Sequence, residues 1–395
     1  MKVGLAGPIG TEDIRHMLGG EAASGPAGYL GAPFMASLIE GFLRRGDEVV
    51  AFTTSTDLSA PVSLSSGTWP LTVHYAPARP HGYLYRNGAW GKAMDAFRQE
   101  RIWLEKAMRL ARPDVVHAHW SYEFAMAALD SGLPYLVTCH DAPQVVLRYM
   151  PNLYRLVRYF MARQVLRRAR RLTAVSTYLK EKVQPYAGAE IAVIPNPLPA
   201  SCFESKSMDR AKAAAFPRMV MVLNGWDQRK NPEPGLKAFS LVRQAFPEAT
   251  LEVYGNDFGQ GGKGAAWATA HGVSRGVTFV GPVQHAVLMD SIAGADLLLH
   301  PSLEETFGMS IAEAMALGIP AVGGIASGAV PWVVGEGGVL VDVRDAGRIA
   351  KAVLQLCRDR DRLKELSLLA HTKTRERFSA RSVVDAYRAL YDASA

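Results

Sequence analysis

The sequence predicts an α/β protein made of two Rossmann-like domains, each a doubly wound parallel sheet, and three observations predict it. The 395 residues exceed what one hydrophobic core usually serves, so two domains of about 180 to 200 residues are expected. Short, uniformly apolar runs alternate with amphipathic helical patterns, and this alternation occurs twice along the chain. The third observation is the stretch from Ala295 to Val322, ADLLLHPSLEETFGMSIAEAMALGIPAV. It reads as a buried strand at Leu297 to Leu299, a stop at Pro301, a loop through Glu304, Glu305, Thr306, Phe307 and Gly308, a helix ended by Gly318 and Pro320, and a new strand near Ala321. Ser310 and Glu313 have the spacing of a capping box and place the helix start. A helix N-terminus at the carboxyl edge of a parallel sheet favours an anion such as phosphate.

The remaining elements follow in order. Lys2 to Ala6 is the first strand, followed by a glycine-containing loop to Gly31. A helix starts near Pro33, with Met35, Leu38, Ile39, Phe42 and Leu43 on one face, and Glu48 to Thr53 is the second strand. Residues 55 to 92 are rich in Ser, Pro, Gly and aromatics, and form a surface loop around a strand at Leu71 to Tyr75. After a helix from Trp90 to Leu110, two strands, Asp114 to His119 and Tyr135 to Asp141, both end in histidine. Ligands of open parallel sheets bind beyond the carboxyl ends of strands, so His117, His119, His140 and Asp141 are site candidates. A helix follows with Leu153, Leu156, Val157, Phe160 and Met161 along one side and Arg155 and Arg158 opposite. Leu172 to Ser176 and Ile191 to Pro197 are strands, and a linker runs through Pro199, Ser201, Ser205 and Ser207. The second domain has strands at Arg218 to Gly225, Thr250 to Tyr254 and Val277 to Gly281, and becomes helical after Leu340, with Val383, Val384, Tyr387 and Tyr391 marking the last apolar face.

The net charge of +7 is concentrated in residues 1 to 198, which carry 22 Lys and Arg against 16 Asp and Glu. Between Asp141 and Glu181 there is no carboxylate, while Arg148, Arg155, Arg158, Arg163, Arg167, Arg168, Arg170 and Arg171 cluster. Such a patch seeks an anion: anionic lipid headgroups, an acidic acceptor or, ranking lowest for want of any recognition motif, nucleic acid. Three widely separated cysteines, Cys139, Cys202 and Cys357, read as free thiols in a reducing compartment. With no apolar segment of membrane-spanning length, the expected location is cytoplasmic, soluble or peripheral on the inner face of a membrane.

Glu305 precedes the glycine turn and Glu313 follows it. A carboxylate at each end of an anion-binding turn suits a ligand with phosphate at its middle and a hydroxylated ring at either side, which is the shape of a nucleotide sugar. Here the chain resembles the retaining glycosyltransferases of family four, built on the GT-B fold, whose signature is two glutamates with seven residues between them, as in Glu305-TFGMSIA-Glu313. The alternative is that Glu313 only caps its helix and Glu305 is a solvated loop charge.

The resemblance implies two facing Rossmann-like domains: residues 1–198 on the acceptor side, residues 199–378 on the nucleotide-sugar side, and a terminal helix over residues 379–395 crossing back to the first. It implies that Glu305 orients the donor sugar, that Glu313 holds the ribose, and that Phe307, Gly308, Met309 and Ser310 cradle the phosphates. His140 would contact the donor sugar, and Gly31 would stand where the family's glycine pair approaches the donor. After Gly225 the family carries an arginine and then a lysine that grip the diphosphate. Lys230 matches the lysine and is expected to contribute little packing, whereas Trp226 stands in the arginine's place and Arg229 is the candidate replacement. The implied reaction moves a sugar from a UDP or GDP sugar to a hydroxyl with retention and without metal or other cofactor. The implied acceptor is a small molecule, saccharide or lipid-linked group near Arg155, Arg158, Arg163, Arg167 and Arg168. The rivals are a nucleotide-sugar epimerase, which would need further acid and base residues, and a silent nucleotide-sugar-binding subunit, which would be expected to lack Glu305 or Lys230.

Overall fold

The structure, a computed structural model, describes residues 1–20, 24–29, 31–86, 89–204 and 216–392. In chain order the elements are β1 (Lys2–Ala6), α1 (Thr11–Leu18), α2 (Phe34–Arg44), β2 (Glu48–Ser55), β3 (Val62–Ser65), β4 (Leu71–Pro77), β5 (Tyr85–Arg86), β6 (Ala89–Trp90), α3 (Arg98–Ala111), β7 (Val115–His119), α4 (Glu123–Asp130) and β8 (Tyr135–Cys139). Next come α5 (Pro143–Tyr149), α6 (Leu153–Arg168), β9 (Leu172–Ala174), α7 (Thr177–Val183) and β10 (Ile191–Val193). Then follow β11 (Arg218–Val222), α8 (Pro232–Ala245), β12 (Thr250–Tyr254), α9 (Lys263–Ala270), β13 (Val277–Gly281), α10 (His285–Ala293) and β14 (Leu297–His300). The chain ends with α11 (Met309–Ala316), β15 (Ala321–Gly324), α12 (Val330–Val334), β16 (Gly338–Val341), α13 (Ala346–Arg358), α14 (Arg360–Phe378) and α15 (Ala380–Asp392).

Two compact units result, one of Met1–Pro197 with Ala380–Ala395 and one of Leu198–Ser379. Unit 1 holds a sheet in the order β10-β9-β8-β7-β1-β2-β4-β3, parallel throughout except for β3, which lies antiparallel on the edge. Unit 2 holds a fully parallel sheet in the order β13-β12-β11-β14-β15-β16. In both orders the first strand of the unit is central and the sequence winds outward on either side of it, which is the doubly wound Rossmann-like arrangement. The uniform apolar runs are explained by this topology: Leu297, Leu298 and Leu299 of β14 are all buried between β11 and β15, because helices cover both faces of a parallel sheet.

Several expectations are corrected. The loop expected between β1 and Gly31 contains α1, whose Ile14, Met17 and Leu18 are buried at helical spacing; the surrounding glycines mask this short period in the sequence. The expected helix over residues 90 to 110 begins at Arg98, after a 3₁₀ turn at Lys92–Asp95. Ser205 and Ser207 of the expected linker lie outside the described residues.

The basic helix α6 also differs from its sequence reading. Leu153, Leu156 and Phe160 are exposed, and the buried face is Met161, Ala162, Val165 and Leu166. Arg158 is instead turned inward, with its guanidinium 3.7 Å from the Tyr122 ring centroid and 4.0 Å from Asp141. Arg168 pairs with Asp130 at 2.6 Å, and Arg163 stacks on Tyr186. Carboxylates and aromatic faces distant in sequence therefore meet part of this charge, which a count along the chain does not show. Among the described residues no helix is long and apolar enough to cross a membrane.

The terminal helix α15 buries Val383, Val384, Tyr387 and Tyr391 within unit 1. It runs so close to α2 that a Cβ on Gly41 would stand 2.7 Å from Val384 Cγ2. At its end the Tyr391 hydroxyl lies 2.6 Å from His117 Nδ1, both fully inside. Tyr391→Phe keeps the packing and leaves that ring nitrogen without its partner. It should lower unfolding free energy by about 1 to 3 kcal/mol, read in urea as a lower midpoint at unchanged slope.

Candidate functional site

In unit 2 the site is assembled where two loops leave the carboxyl ends of β11 and β14. The first, residues 223–231, turns at Gly225, and Asp227 Oδ1 accepts the Lys230 N–H at 2.9 Å. Asn231 ends it in a left-handed conformation, φ +48°, with its Nδ2 donating to Pro301 O and Val343 O, each at 3.0 Å. The Leu303 N–H donates to Arg229 O at 2.7 Å. These bonds tie the first loop to the second and aim Lys230 at it.

Lys230 Nζ donates to Glu305 Oε1 at 2.6 Å, and the same oxygen accepts His300 Nε2 at 3.2 Å. Burial raises the Glu305 carboxyl, but the Lys230 ammonium and the His300 ring more than reverse this and hold it well below the ordinary carboxylate range. Glu305 is thus a largely buried ion-pair partner rather than a solvated loop charge. Lys230, itself buried, is structural as well as available to a ligand, which corrects the expectation that it adds little to packing.

The capping box does not form. Gly308, φ +95°, is the N-cap, and the helix begins two residues earlier than its spacing implies, so Ser310 sits inside the first turn and makes no cap bond. Ile311 and Ala312 N–H both donate to Gly308 O. Among the described residues this leaves the Met309 and Ser310 N–H groups for an anion. Glu313 falls in the second turn, buried, and accepts His285 Nε2 at 2.8 Å, so it does not cap α11 either. Phe307 is packed edge-on against Phe378, with ring centroids 5.2 Å apart, and only its backbone can serve a ligand. Trp226 packs against Phe258 and Trp267. Arg229 reaches across to the second loop, its guanidinium 3.4 Å from Glu304 O and 3.8 Å from Glu304 Oε2.

Unit 1 presents a second cluster beyond β7 and β8. The His140 ring is stacked against both Trp120 and Phe34, with centroids 4.3 and 4.9 Å away, and its Nε2 is 2.9 Å from His119 Nδ1. Burial pushes His119 down to about 3 and His117 and His140 well below the usual histidine range. All three are therefore neutral hydrogen-bonding rings. Next to them is a cavity of about 200 Å³ lined by Gly31, Trp120, Tyr122, Glu123, Asp141, Arg155 and Arg158, among others. Gly31 is in the left-handed region at φ +116°, with open space where a Cβ would stand. Burial raises the Asp141 carboxyl against the pull of Arg158. Arg155 and Arg158 thus serve this cavity, whereas Arg167 and Arg168 are on the exposed side of α6.

Sequence reasoning missed His300, His285 and Glu123. His300 had a visible signal, since it ends its strand as His119 and His140 nearly do in unit 1. His285 and Glu123 had none, because their partners and surroundings are set by packing alone.

Comparison with known proteins places the chain in a family. Residues 32–201 match the family described as Glycosyltransferase Family 4, and residues 217–359 match Glycosyl transferases group 1. The chain is similar to glycogen synthase of Mycobacterium tuberculosis, 27% identical over 373 residues, covering 88% of this chain and 86% of that protein. In fold it is similar to sucrose-phosphate synthase from Thermosynechococcus elongatus, with a TM-score of 0.76 at 19% identity over 99% of both chains. It is also similar to HepE of Anabaena in complex with UDP-glucose, with a TM-score of 0.69 at 16% identity over 100% of both.

The buried pair has a consequence for acid stability. The Glu305 pKa is lower folded than unfolded, so its stabilising contribution is present above the unfolded value of about 4.3 and lost as pH falls toward the folded one. Lys230→Met leaves a buried carboxylate with one partner and should cost about 3 kcal/mol or more at neutral pH. Denaturation series should show the gap between the two proteins closing as pH falls below about 4. A gap independent of pH would mean that the lysine acts by packing alone.

Proposed function

The chain belongs to the family 4 glycosyltransferases, and on that premise we propose that it moves a sugar from a UDP-sugar donor to a hydroxyl acceptor with retention of configuration. The carrying observation is the Glu305 carboxylate, held ionised by Lys230 and His300 in the loop that leads into the free N–H groups of α11. A UDP donor is favoured by the structural likeness to HepE, whose complex contains UDP-glucose. An epimerase or a silent binding subunit is not favoured, since Glu305 and Lys230 are both in place and linked.

The residues divide the work. Of the three Lys230 ammonium protons one is used by Glu305, and two remain for diphosphate oxygens. As the diphosphate departs its charge grows, so Lys230 and the Met309 and Ser310 N–H groups bind the transition state better than the bound donor. Both recorded bonds to Glu305 fall on Oε1, so Oε2 can accept a donor-sugar hydroxyl. Glu313, oriented by His285, would take the ribose hydroxyls. The neutral His140 ring would act by hydrogen bonding, not as a cationic acid. Meeting the leaving charge with Lys230 and helix N–H groups lets the reaction run without a metal.

A lipid-linked acceptor and a peripheral membrane location are supported by a refined version of the basic patch. Met150, Leu153, Leu156 and Phe160 are exposed beside exposed Arg148 and Arg167. Tyr83, whose hydroxyl donates to Leu153 O, brings the segment carrying exposed Leu84 and Trp90 alongside. Apolar side chains interleaved with arginines suit the interface of an anionic bilayer.

Lys230→Met should lose turnover by roughly 100- to 1,000-fold at saturating donor and acceptor, assayed where the variant is folded. Glu305→Gln should slow transfer, while Glu313→Gln should weaken donor binding. Wild-type turnover should survive EDTA, and UDP at 100 times its dissociation constant should add about 2.7 kcal/mol of stability. Near-normal turnover in Lys230→Met would overturn the reading.

Sedimentation with vesicles tests the membrane surface. Recovery should be greater with anionic than neutral lipid, fall at high salt, and drop when Leu153 and Phe160 are replaced by Ser. Equal recovery on both lipids would leave the patch as a solvated face.

A further inference from the structure

Four charged side chains face the unit 1 cavity, and two of them lie against each other, although the Arg158 Nε has no hydrogen-bond partner among the described residues. Asp141 accepts the Tyr122 hydroxyl at 2.8 Å and lies 4.0 Å from Arg158, whose guanidinium covers the Tyr122 ring. The other two make no ion pair among the described residues, although Lys92 and Arg158 lie within electrostatic range of Glu123. Glu123 is only 5% exposed and lines the cavity, yet among the described residues neither of its oxygens has a hydrogen bond or ion pair. A buried carboxylate in that condition is costly unless something supplies donors to it. Arg155 also lines the cavity, and among the described residues its guanidinium has no carboxylate partner; its recorded neighbour is the Tyr154 ring, 5.8 Å away.

We infer that this cavity takes a hydroxylated ring bearing a phosphate, with Glu123 accepting ring hydroxyls and Arg155 holding the phosphate. The inference rests on the glycosyl-transfer reading, in which this ring is the acceptor. A carboxylate has two oxygens that match two hydroxyls on adjacent carbons, and a guanidinium presents paired N–H groups that match phosphate. A neutral sugar would leave Arg155 without its counterpart. A simple anion would leave Glu123 without donors and set like charge beside it. A ligand carrying both groups satisfies both side chains, and Trp120, which lines the cavity, offers aromatic surface to the C–H side of the ring. The phosphate can be free, as in a sugar phosphate, or the diester of a lipid headgroup.

The test is calorimetric titration of the full chain in the presence of UDP, with glucose, glucose 1-phosphate, glucose 6-phosphate and inositol 1-phosphate as probes. At least one ring phosphate should bind about 10-fold or more tighter than glucose. Glu123→Gln, which keeps size and shape, should weaken that probe by about 10- to 100-fold. Arg155→Gln should erase the preference over glucose. Phosphatidylcholine vesicles containing phosphatidylinositol, set against vesicles containing phosphatidylserine, separate the two sources. A preference for phosphatidylinositol that Glu123→Gln abolishes identifies the lipid, and binding confined to free ring phosphates identifies the soluble form. Wild type that binds UDP but no ring phosphate better than glucose overturns the inference and leaves glycosyl transfer standing, as does Glu123→Gln with unchanged affinity. Failure to bind UDP would instead overturn the donor reading itself.

Discussion

A carboxylate taken out of water must be met by a cation, and in unit 2 the loops beyond β11 and β14 are arranged around that requirement. Glu305 is mostly buried and still ionised because Lys230 and His300 converge on one of its oxygens. Lys230 can be there because Asp227 holds its backbone, and because Asn231 spans from its own loop to the carbonyls of Pro301 and Val343. The constraint leaves room for the proposed function: among the described residues one Glu305 oxygen and two lysine protons face no partner. Stability and chemistry therefore use the same pair, and a change at Lys230 acts on both.

Unit 1 solves a different problem, that of burying polar rings. His117, His119 and His140 are enclosed and neutral; both His117 nitrogens meet hydroxyls, of Tyr391 and Thr138, and His119 Nδ1 meets His140 Nε2, while His119 Nε2 has no partner among the described residues. The partner of His117 comes from α15, at the far end of the sequence, so the last helix of the chain completes the core beneath the strand-end histidines. Their neutrality suits them to shaping and orienting. The charged side chains of this unit gather at the neighbouring cavity, where Asp141 and Arg158 lie 4.0 Å apart and, among the described residues, Glu123 and Arg155 make no ion pair.

The arginine-rich segment shows how charge read along a chain differs from charge read in space. Arg158 is spent on Tyr122 and Asp141, Arg163 on Tyr186, and Arg168 on Asp130. What the surface keeps is a mixed patch in which exposed Leu153, Leu156 and Phe160 stand beside the remaining arginines. That composition differs from a purely electrostatic face, because part of its attraction to a bilayer would not be screened by salt.

The sequence by itself determined the fold class, the position of most strands and the location of the glutamate pair. These are carried by local signals: uniform apolar runs such as Leu297 to Leu299, strand-end punctuation such as Pro301, and a fixed spacing such as that from Glu305 to Glu313. It did not reveal α1, because eight residues between glycines give too few turns for a period to stand out, and it misplaced the start of α11, because Gly308 rather than Ser310 is the cap. Only the tertiary structure decided which groups meet: Glu305 with Lys230 and His300, Glu313 with His285, and Tyr391 with His117, while among the described residues Glu123 makes no hydrogen bond or ion pair. The physical reason is that an apolar period is a property of one segment, whereas an ion pair or an unmatched buried charge depends on the distance between segments far apart in the chain.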